Sequence, residues 1–395
     1  MKVNTNPKAI DEVLSRGVDE VIVKNQLRER MLSGAVLRVK LGIDPTSPNL
    51  HLGRSVPLLK LRDFQELGHK VVFIVGDFTG VIGDTSDKES ERPMLDPKTV
   101  KINLKHYVTQ AEKILDIKKA EIRFNSEWLK KLNYVDVAEQ ADFFSLAEFI
   151  ARENIRRRLD AGTRVSLREV LYPLMQGYDS VAVKADVELG GTDQRFNLLA
   201  GREMQPHFHQ NSQNIIMNPL IDGTDGRKMS SSWGNTINFT DAPSEMFGKI
   251  MSISDELIVK YFTYFTRVPM AEISKMEGAM KSDTNPRDIK IRLAREIVRM
   301  YHSAKVADQA VEAFNKMFRE HEAPEEMREV RVKGPVSLVG ALVLAKLVAS
   351  KSEARRVLEE GGVKVDGKVV KDVKREVRSG SVIQKGKRHF VRLIS

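Results

Sequence analysis

The first two thirds of the chain alternate short β-branched runs with longer stretches of helical periodicity. Val36 to Ile43 and Lys70 to Gly76 read as strands, because short runs rich in Val and Ile suit a buried strand. Between them Val56, Leu58, Leu59, Leu61, Phe64 and Leu67 recur at helical spacing and give one apolar face, closed by Gly68. Glu121 to Asn125, Asp186 to Leu189 and Asn214 to Met217 are further strands, separated by helix-like sequence. This alternation predicts an α/β domain over residues 1–243: a Rossmann-like, doubly wound parallel sheet wrapped by helices.

After residue 243 the strand-like runs stop. DIKIRLAREIVRMYHSAKVADQAVEAFNKMF and its neighbours alternate charged and apolar residues at helical spacing, predicting an α-helical domain over 244–320. HEAPEEMREVRVKGP is polar and bounded by prolines, which predicts a linker over 321–334. A small α+β module is expected over 335–395. In it Leu344, Leu347 and Val348, then Ala354, Val357 and Leu358, suggest two short helices. Val363, Val365, Val369 and Val370 flank Asp366-Gly367, the pattern of a tight hairpin.

A length of 395 residues fits two or three cores better than one. Cysteine is absent, which excludes disulfides, thiolate zinc sites and cysteine nucleophiles. No apolar run reaches the roughly 18 residues of a membrane span, and the N-terminus lacks a secretory pattern, so a cytoplasmic location is expected. Residues 331–395 hold 16 Lys and Arg against 6 Asp and Glu, so the whole net charge of +10 sits in the tail. A neutral body with a cationic terminal module suggests a polyanionic partner, although a solvated, solubilising surface has the same composition.

Two segments carry chemistry. Leu41-Gly-Ile-Asp-Pro-Thr-Ser-Pro-Asn-Leu-His51-Leu-Gly53-Arg54 lies where a strand gives way to a helix, the place where α/β sheets bind nucleotides. An imidazole there can donate to a phosphoryl oxygen, though a lone His-x-Gly is equally a helix cap or a buried histidine. Downstream, Asp-Gly-Arg-Lys228-Met229-Ser230-Ser231-Ser232 puts a lysine and three hydroxyls on a glycine-bounded loop, suited to closure over a triphosphate. No GxxxxGK[ST] is present, so a P-loop is not expected. Tyr172, Gln176 and Asp179 fall at i, i+4 and i+7, one face of a helix on which a ring, an amide and a carboxylate can cradle an amino acid.

The two segments, in this order, resemble the HxGH-like and KMSKS-like signatures of class I aminoacyl-tRNA synthetases. GDFTGVIGDTSDKESERP, YPLMQGYDS, ELGGTDQRFN and the basic tail resemble the bacterial-type tyrosyl-tRNA synthetases over essentially the whole chain. Tryptophanyl relatives generally lack such a tail, which favours tyrosine. The resemblance implies ATP-dependent activation of L-tyrosine to tyrosyl-adenylate and pyrophosphate, followed by transfer to the 3′ end of tRNA(Tyr), with magnesium carried in on ATP.

It implies that Asp84, Tyr172 and Gln176 hold the substrate α-amino group and that Asp179 accepts the phenol proton, with Leu41, Gly42, Asp44 and Gln194 completing the tyrosine site. Gly53, Gly191, Asp193, Met229, Ser230 and Ser231 would line the adenylate site. His51, Lys228 and Thr46 would meet the transferring phosphates, with Lys88 and Arg92 as further cations. Basic Lys346, Lys351, Arg355 and Arg356 would contact RNA phosphates. A homodimer with its interface near residues 125–165 is also implied. Arg54 stands where a second histidine is common, Ser231 where a second lysine is common, and Leu41 where another branch of the family has tyrosine. The first two keep a noncatalytic RNA-binding paralogue as the alternative. A small-molecule nucleotidyltransferase fits the tail less well.

Overall fold

The computed structural model describes residues 2–86, 94–282, 284–319, 327–332, 334–386 and 389–395. The chain packs as two units, one of Met1–Asp241 with Ser252–Leu293 and the other of Ala242–Met251 with Ala294–Ser395.

A six-stranded sheet organises the first unit. Its strands are β1 (Glu20–Ile22), β2 (Arg38–Ile43), β3 (Lys70–Val75), β4 (Ala120–Phe124), β5 (Val187–Gly191) and β6 (Asn214–Asn218), in the order β1-β6-β5-β2-β3-β4. β2 to β6 are the five strands the sequence predicts, and all run parallel. Helices cover both faces, so a central strand such as β3, KVVFIV, can be apolar almost throughout. β1 was not predicted. It is only EVI, too short to show alternation, and it pairs antiparallel with β6 at the sheet edge.

The topology places the site. β2 lies between β3, which follows it in the chain, and β5, which enters later on its other side. A crevice therefore opens at the C-terminal ends of β2 and β5, where the winding reverses. One wall is the helix Leu52–Glu66, entered from β2. The opposite wall is the helix Leu167–Val183, started by a capping box in which Ser166 and Glu169 satisfy each other's backbone N–H. Gly177 lets this helix approach the helix Arg195–Met204 closely: a Cβ there would lie 3.3 Å from the backbone of Ala200 and Gly201.

Helical sequence after residue 243 forms helices as expected, at Pro243–Met251, Leu257–Phe265, Met270–Ser282, Pro286–Tyr301 and Ala304–Arg319. No helix among the described residues is long and apolar enough to cross a membrane.

The terminal module contains β7 (Arg328–Arg331), β8 (Val336–Ser337), β9 (Val363–Val365), β10 (Lys368–Val369), β11 (Glu376–Val377), β12 (Val382–Lys385) and β13 (His389–Ile394). Five of these form a sheet in the order β10-β9-β12-β13-β7, with the helices Leu338–Leu344 and Lys351–Glu359 packed on the shared core of Leu338, Leu342, Leu358 and Ile383. The expected hairpin is present: Asp366 and Gly367 have φ of 48° and 79°, the left-handed pair that a two-residue turn between β9 and β10 requires. β7 falls inside the stretch read as a linker. Its sequence REVR has one apolar position, Val330, and its strand character comes from parallel pairing with β13. Residues 321–326 and 333 of that stretch lie outside the described residues.

Candidate active site

The crevice above β2 and β5 is a single cleft, and it gathers residues from segments up to about 190 positions apart. At its inner end the helix Leu167–Val183 presents Tyr172, Gln176 and Asp179 together, as their spacing predicts. Asp179 is buried; its carboxylate accepts from the indole N–H of Trp128 at 2.7 Å and from Asn125 Nδ2 at 3.3 Å. Burial pushes its pKa up to about 7, against the downward pull of Lys40, Trp128 and Asn125.

Tyr172 donates its hydroxyl to Asp44 Oδ2 at 2.8 Å, and Thr79 donates to Asp44 Oδ1 at 2.7 Å. Asp44 keeps some surface toward the cleft, yet withdrawal from water raises its pKa to about 6. Asp84 accepts from Gln194 Nε2 at 2.8 Å and from Ser86 Oγ at 2.7 Å. Leu41 and Gly42 border the same cleft from β2.

At the mouth, His51 precedes the helix Leu52–Glu66, held by pairing of its segment with Asn238 and by Leu52 N–H donating to the Ile237 carbonyl at 2.8 Å. Burial, then the nearby charges of Arg54 and Lys228, lower the imidazole pKa to about 3. His51 is thus neutral at physiological pH, a hydrogen-bonding group and not a cation. Its buried Nδ1 has no hydrogen-bond partner among the described residues.

The downstream loop comes to meet it. Met229 is buried, its sulfur lies 3.2 Å from the Gly53 nitrogen, and its own N–H donates to the Ile221 carbonyl at 2.8 Å. Lys228 Nζ lies 3.1 Å from Asp193 Oδ2. Thr46, Arg54, Gly191, Ser230 and Ser231 line the same cleft. Of the candidate residues for tyrosine and ATP, only Lys88 and Arg92 are not placed here; they lie outside the described residues.

The protein-family model for class I tRNA synthetases (W and Y) matches residues 32–319, and that for the S4 domain matches 341–383. The chain belongs to the class I tRNA synthetases of the W and Y family. It is 46% identical to the tyrosine–tRNA ligase of Thermotoga maritima, covering 98% of each chain, and 44% identical to that of Dehalococcoides mccartyi, covering 99% of this chain and all of the relative. Among solved structures it is similar to a C-terminally truncated mitochondrial tyrosyl-tRNA synthetase of Aspergillus nidulans, with a TM-score of 0.67 at 21% identity, over 78% of this chain and 94% of that one. It is also similar to the Archaeoglobus fulgidus tyrosyl-tRNA synthetase complexed with L-tyrosine, with a TM-score of 0.62 at 24% identity, over 78% and 100%. At these identities the structural likeness bears on fold.

Three positioning residues of this synthetase were not read from the sequence. Trp128 and Asn125 hold Asp179 from a segment about 50 positions away, and nothing in their local pattern marks them. Asn235 pins the signature loop: its Nδ2 lies 2.7 Å from Asp225 Oδ1 and 3.0 Å from the Lys228 carbonyl, while its Oδ1 accepts from Ser230 N–H at 2.8 Å. An asparagine seven residues after Lys228 in a polar loop carries no signal of that role. Lys40, beside Leu41, is the fourth omission. Strand alternation sends its side chain to the helix Leu167–Val183, where its ammonium meets Ser180 and Gln176.

Proposed function

We infer that this synthetase is specific for tyrosine: it activates L-tyrosine with magnesium-bound ATP and transfers it to the 3′ end of tRNA(Tyr), in the cytoplasm. The observation that carries the amino-acid choice is Asp179, a buried carboxylate at the closed end of the cleft with a free role for a phenol donor. The hydroxyl of tyrosine can donate to the acceptor capacity that Trp128 and Asn125 leave on this carboxylate, whereas phenylalanine brings no donor and would cover it unmatched. A tyrosyl site built this way rejects phenylalanine by about 10⁵.

In activation the tyrosine carboxylate attacks the α-phosphorus of ATP, a new C(O)–O–P bond forms, and the bond to pyrophosphate breaks with its electron pair leaving on pyrophosphate. A hydroxyl of the 3′-terminal ribose of the tRNA then attacks the carbonyl carbon; the ester bond forms, the acyl C–O bond to AMP breaks with its electron pair leaving on AMP, and the hydroxyl proton passes to the departing phosphate or to water. Neither step needs a covalent protein intermediate; the protein contributes position and charge. Asp84, Tyr172 and Gln176 receive the α-amino group, with Leu41, Gly42, Asp44 and Gln194 around the bound amino acid. Gly53, Gly191, Asp193, Met229 and Ser230 frame the adenosine moiety. His51 donates to the phosphates as a neutral imidazole, and Lys228, Thr46, Arg54 and Ser231 meet the developing negative charge, joined by Lys88 and Arg92. The Lys228–Asp193 pair joins a phosphate-binding cation to a ribose-binding carboxylate, so ATP must exchange that contact for its own.

The terminal module, which matches the S4 domain, holds the tRNA backbone through Lys346, Lys351, Arg355 and Arg356, all exposed. A homodimer is supported by a run of exposed apolar side chains over 134–171, among them Tyr134 at 94% and Leu167 at 78% exposure. Pyrophosphate exchange measured with tyrosine, phenylalanine and tryptophan tests the reading. Exchange with tyrosine alone supports it, and exchange with none would move the assignment to the RNA-binding paralogue.

A further inference from the structure

Beneath the tyrosine end of the cleft lies a charged cluster to which activation assigns no role. Lys40 Nζ on β2 lies 2.9 Å from Glu188 Oε1 on β5, and both side chains are 1% exposed. The ammonium also donates to Ser180 Oγ at 2.7 Å and to the Gln176 carbonyl at 3.1 Å. Glu188 accepts from Ser180 Oγ at 2.8 Å, from Gln213 Nε2 at 2.5 Å and from Gln176 Nε2 at 3.3 Å. The neighbouring helix leaves room for this network only through Gly201, where a Cβ would sit 2.7 Å from Ser180 Oγ and 2.9 Å from Gln213 Nε2.

Burying an ion pair this completely is a poor way to stabilise a sheet, because desolvation of the two charges offsets most of their attraction and apolar side chains would fill the space at less cost. Its placement is informative instead. The hydrogen bonds that the pair makes with the helix Leu167–Val183 fall on Gln176 and Ser180, the turn that carries Asp179.

We propose that the Lys40–Glu188 pair determines amino-acid specificity by position: it clamps the Gln176–Ser180 turn to the sheet, aims Asp179 at the substrate hydroxyl and keeps a cation beside it. The proposal rests on the tyrosine reading above. Asp179 is faced by Lys40 from β2, Glu188 from β5, and Asn125 and Trp128 from the segment after β4. Removing Lys40 alone leaves two carboxylates in one buried neighbourhood without a cation, an arrangement that drives one of them to take a proton. A protonated Asp179 donates where it should accept.

The test compares Lys40→Met with the double variant Lys40→Met/Glu188→Met, which replaces the pair by apolar side chains of similar size and keeps the question open if the single variant fails to fold. Pyrophosphate exchange is followed from pH 6 to 9, with KM measured separately for tyrosine and ATP, and with tyrosine and phenylalanine compared as kcat/KM. Both variants are expected to raise the tyrosine KM about tenfold or more at pH 7, leave the ATP KM within about twofold, and cut discrimination against phenylalanine about tenfold. In Lys40→Met the rise of kcat/KM for tyrosine with pH should move to higher pH. A double variant with wild-type tyrosine KM and wild-type rejection of phenylalanine overturns the proposal, as does an equal rise in both KM values. Wild-type protein without tyrosine-dependent exchange overturns the tyrosine reading itself, before any variant is compared.

Discussion

Asp179 and Asp44 are carboxylates in one cleft, and burial raises both, to about 7 and about 6. For a group that must accept a hydrogen bond the sign is clear: it works when ionised. The kcat/KM for tyrosine, which reports the free enzyme, should therefore climb as pH rises through about 6 to 7 and level off above. His51, at about 3, does not titrate in that range. Asp179→Asn should remove the part of the rise near 7 and lower kcat/KM for tyrosine about 10²-fold or more, with a much smaller loss for phenylalanine. An unchanged pH profile would reject Asp179 as the titrating group. At this scale the i, i+4, i+7 spacing made Tyr172, Gln176 and Asp179 legible, because a helix turns that spacing into one face. Lys40 was illegible: a lysine within RVKLGI shows neither which way its strand faces nor that a glutamate about 150 positions on will meet it.

The signature loop is an element whose geometry depends on side chains as much as on backbone. Asn235 bridges both sides of it, and Arg227 stacks over Trp233 with 4.8 Å from guanidinium to ring centroid. Asn235→Ala should loosen Lys228 and Ser230, raising the KM for ATP about tenfold in pyrophosphate exchange while leaving that for tyrosine nearly unchanged. Equal effects on both substrates would argue for general damage. Beside that loop Arg54 stands near His51, close enough for its charge to lower the imidazole pKa. We propose that it partly replaces the lysine charge that Ser231 does not supply, since guanidinium can grip phosphate with two parallel bonds. Arg54→Ala should slow exchange about tenfold or more, and full activity would sink that compensation. The five parallel strands were legible as short runs rich in apolar residues between helical stretches, whereas β1 and β7 were not, since EVI and REVR become strands only through a partner's ladder.

Across the molecule, charge and apolar surface are segregated. The charge surplus lies in residues 331–395, and replacing Lys346, Lys351, Arg355 and Arg356 by alanine should leave pyrophosphate exchange intact, weaken tRNA binding and flatten its salt dependence. Loss of exchange in that variant would contradict a separate RNA-holding role. Leu146 and Leu167, 65% and 78% exposed, belong to the surface proposed for a dimer, so the parent is expected to sediment as a dimer and Leu146→Asp/Leu167→Asp as a monomer. The sequence by itself determined the alternation of strands and helices, the helical stretch, the hairpin at Asp366-Gly367 and the two motif segments that line the cleft, because each depends on neighbours within one or two turns of chain. Only the tertiary structure decided that Trp128 and Asn125 hold Asp179, that Met229 meets Gly53, and that a buried Lys40–Glu188 pair lies against the helix Leu167–Val183. Those contacts join residues about 50 to 180 positions apart, and local pattern carries no information about which distant side chains the sheet will bring together.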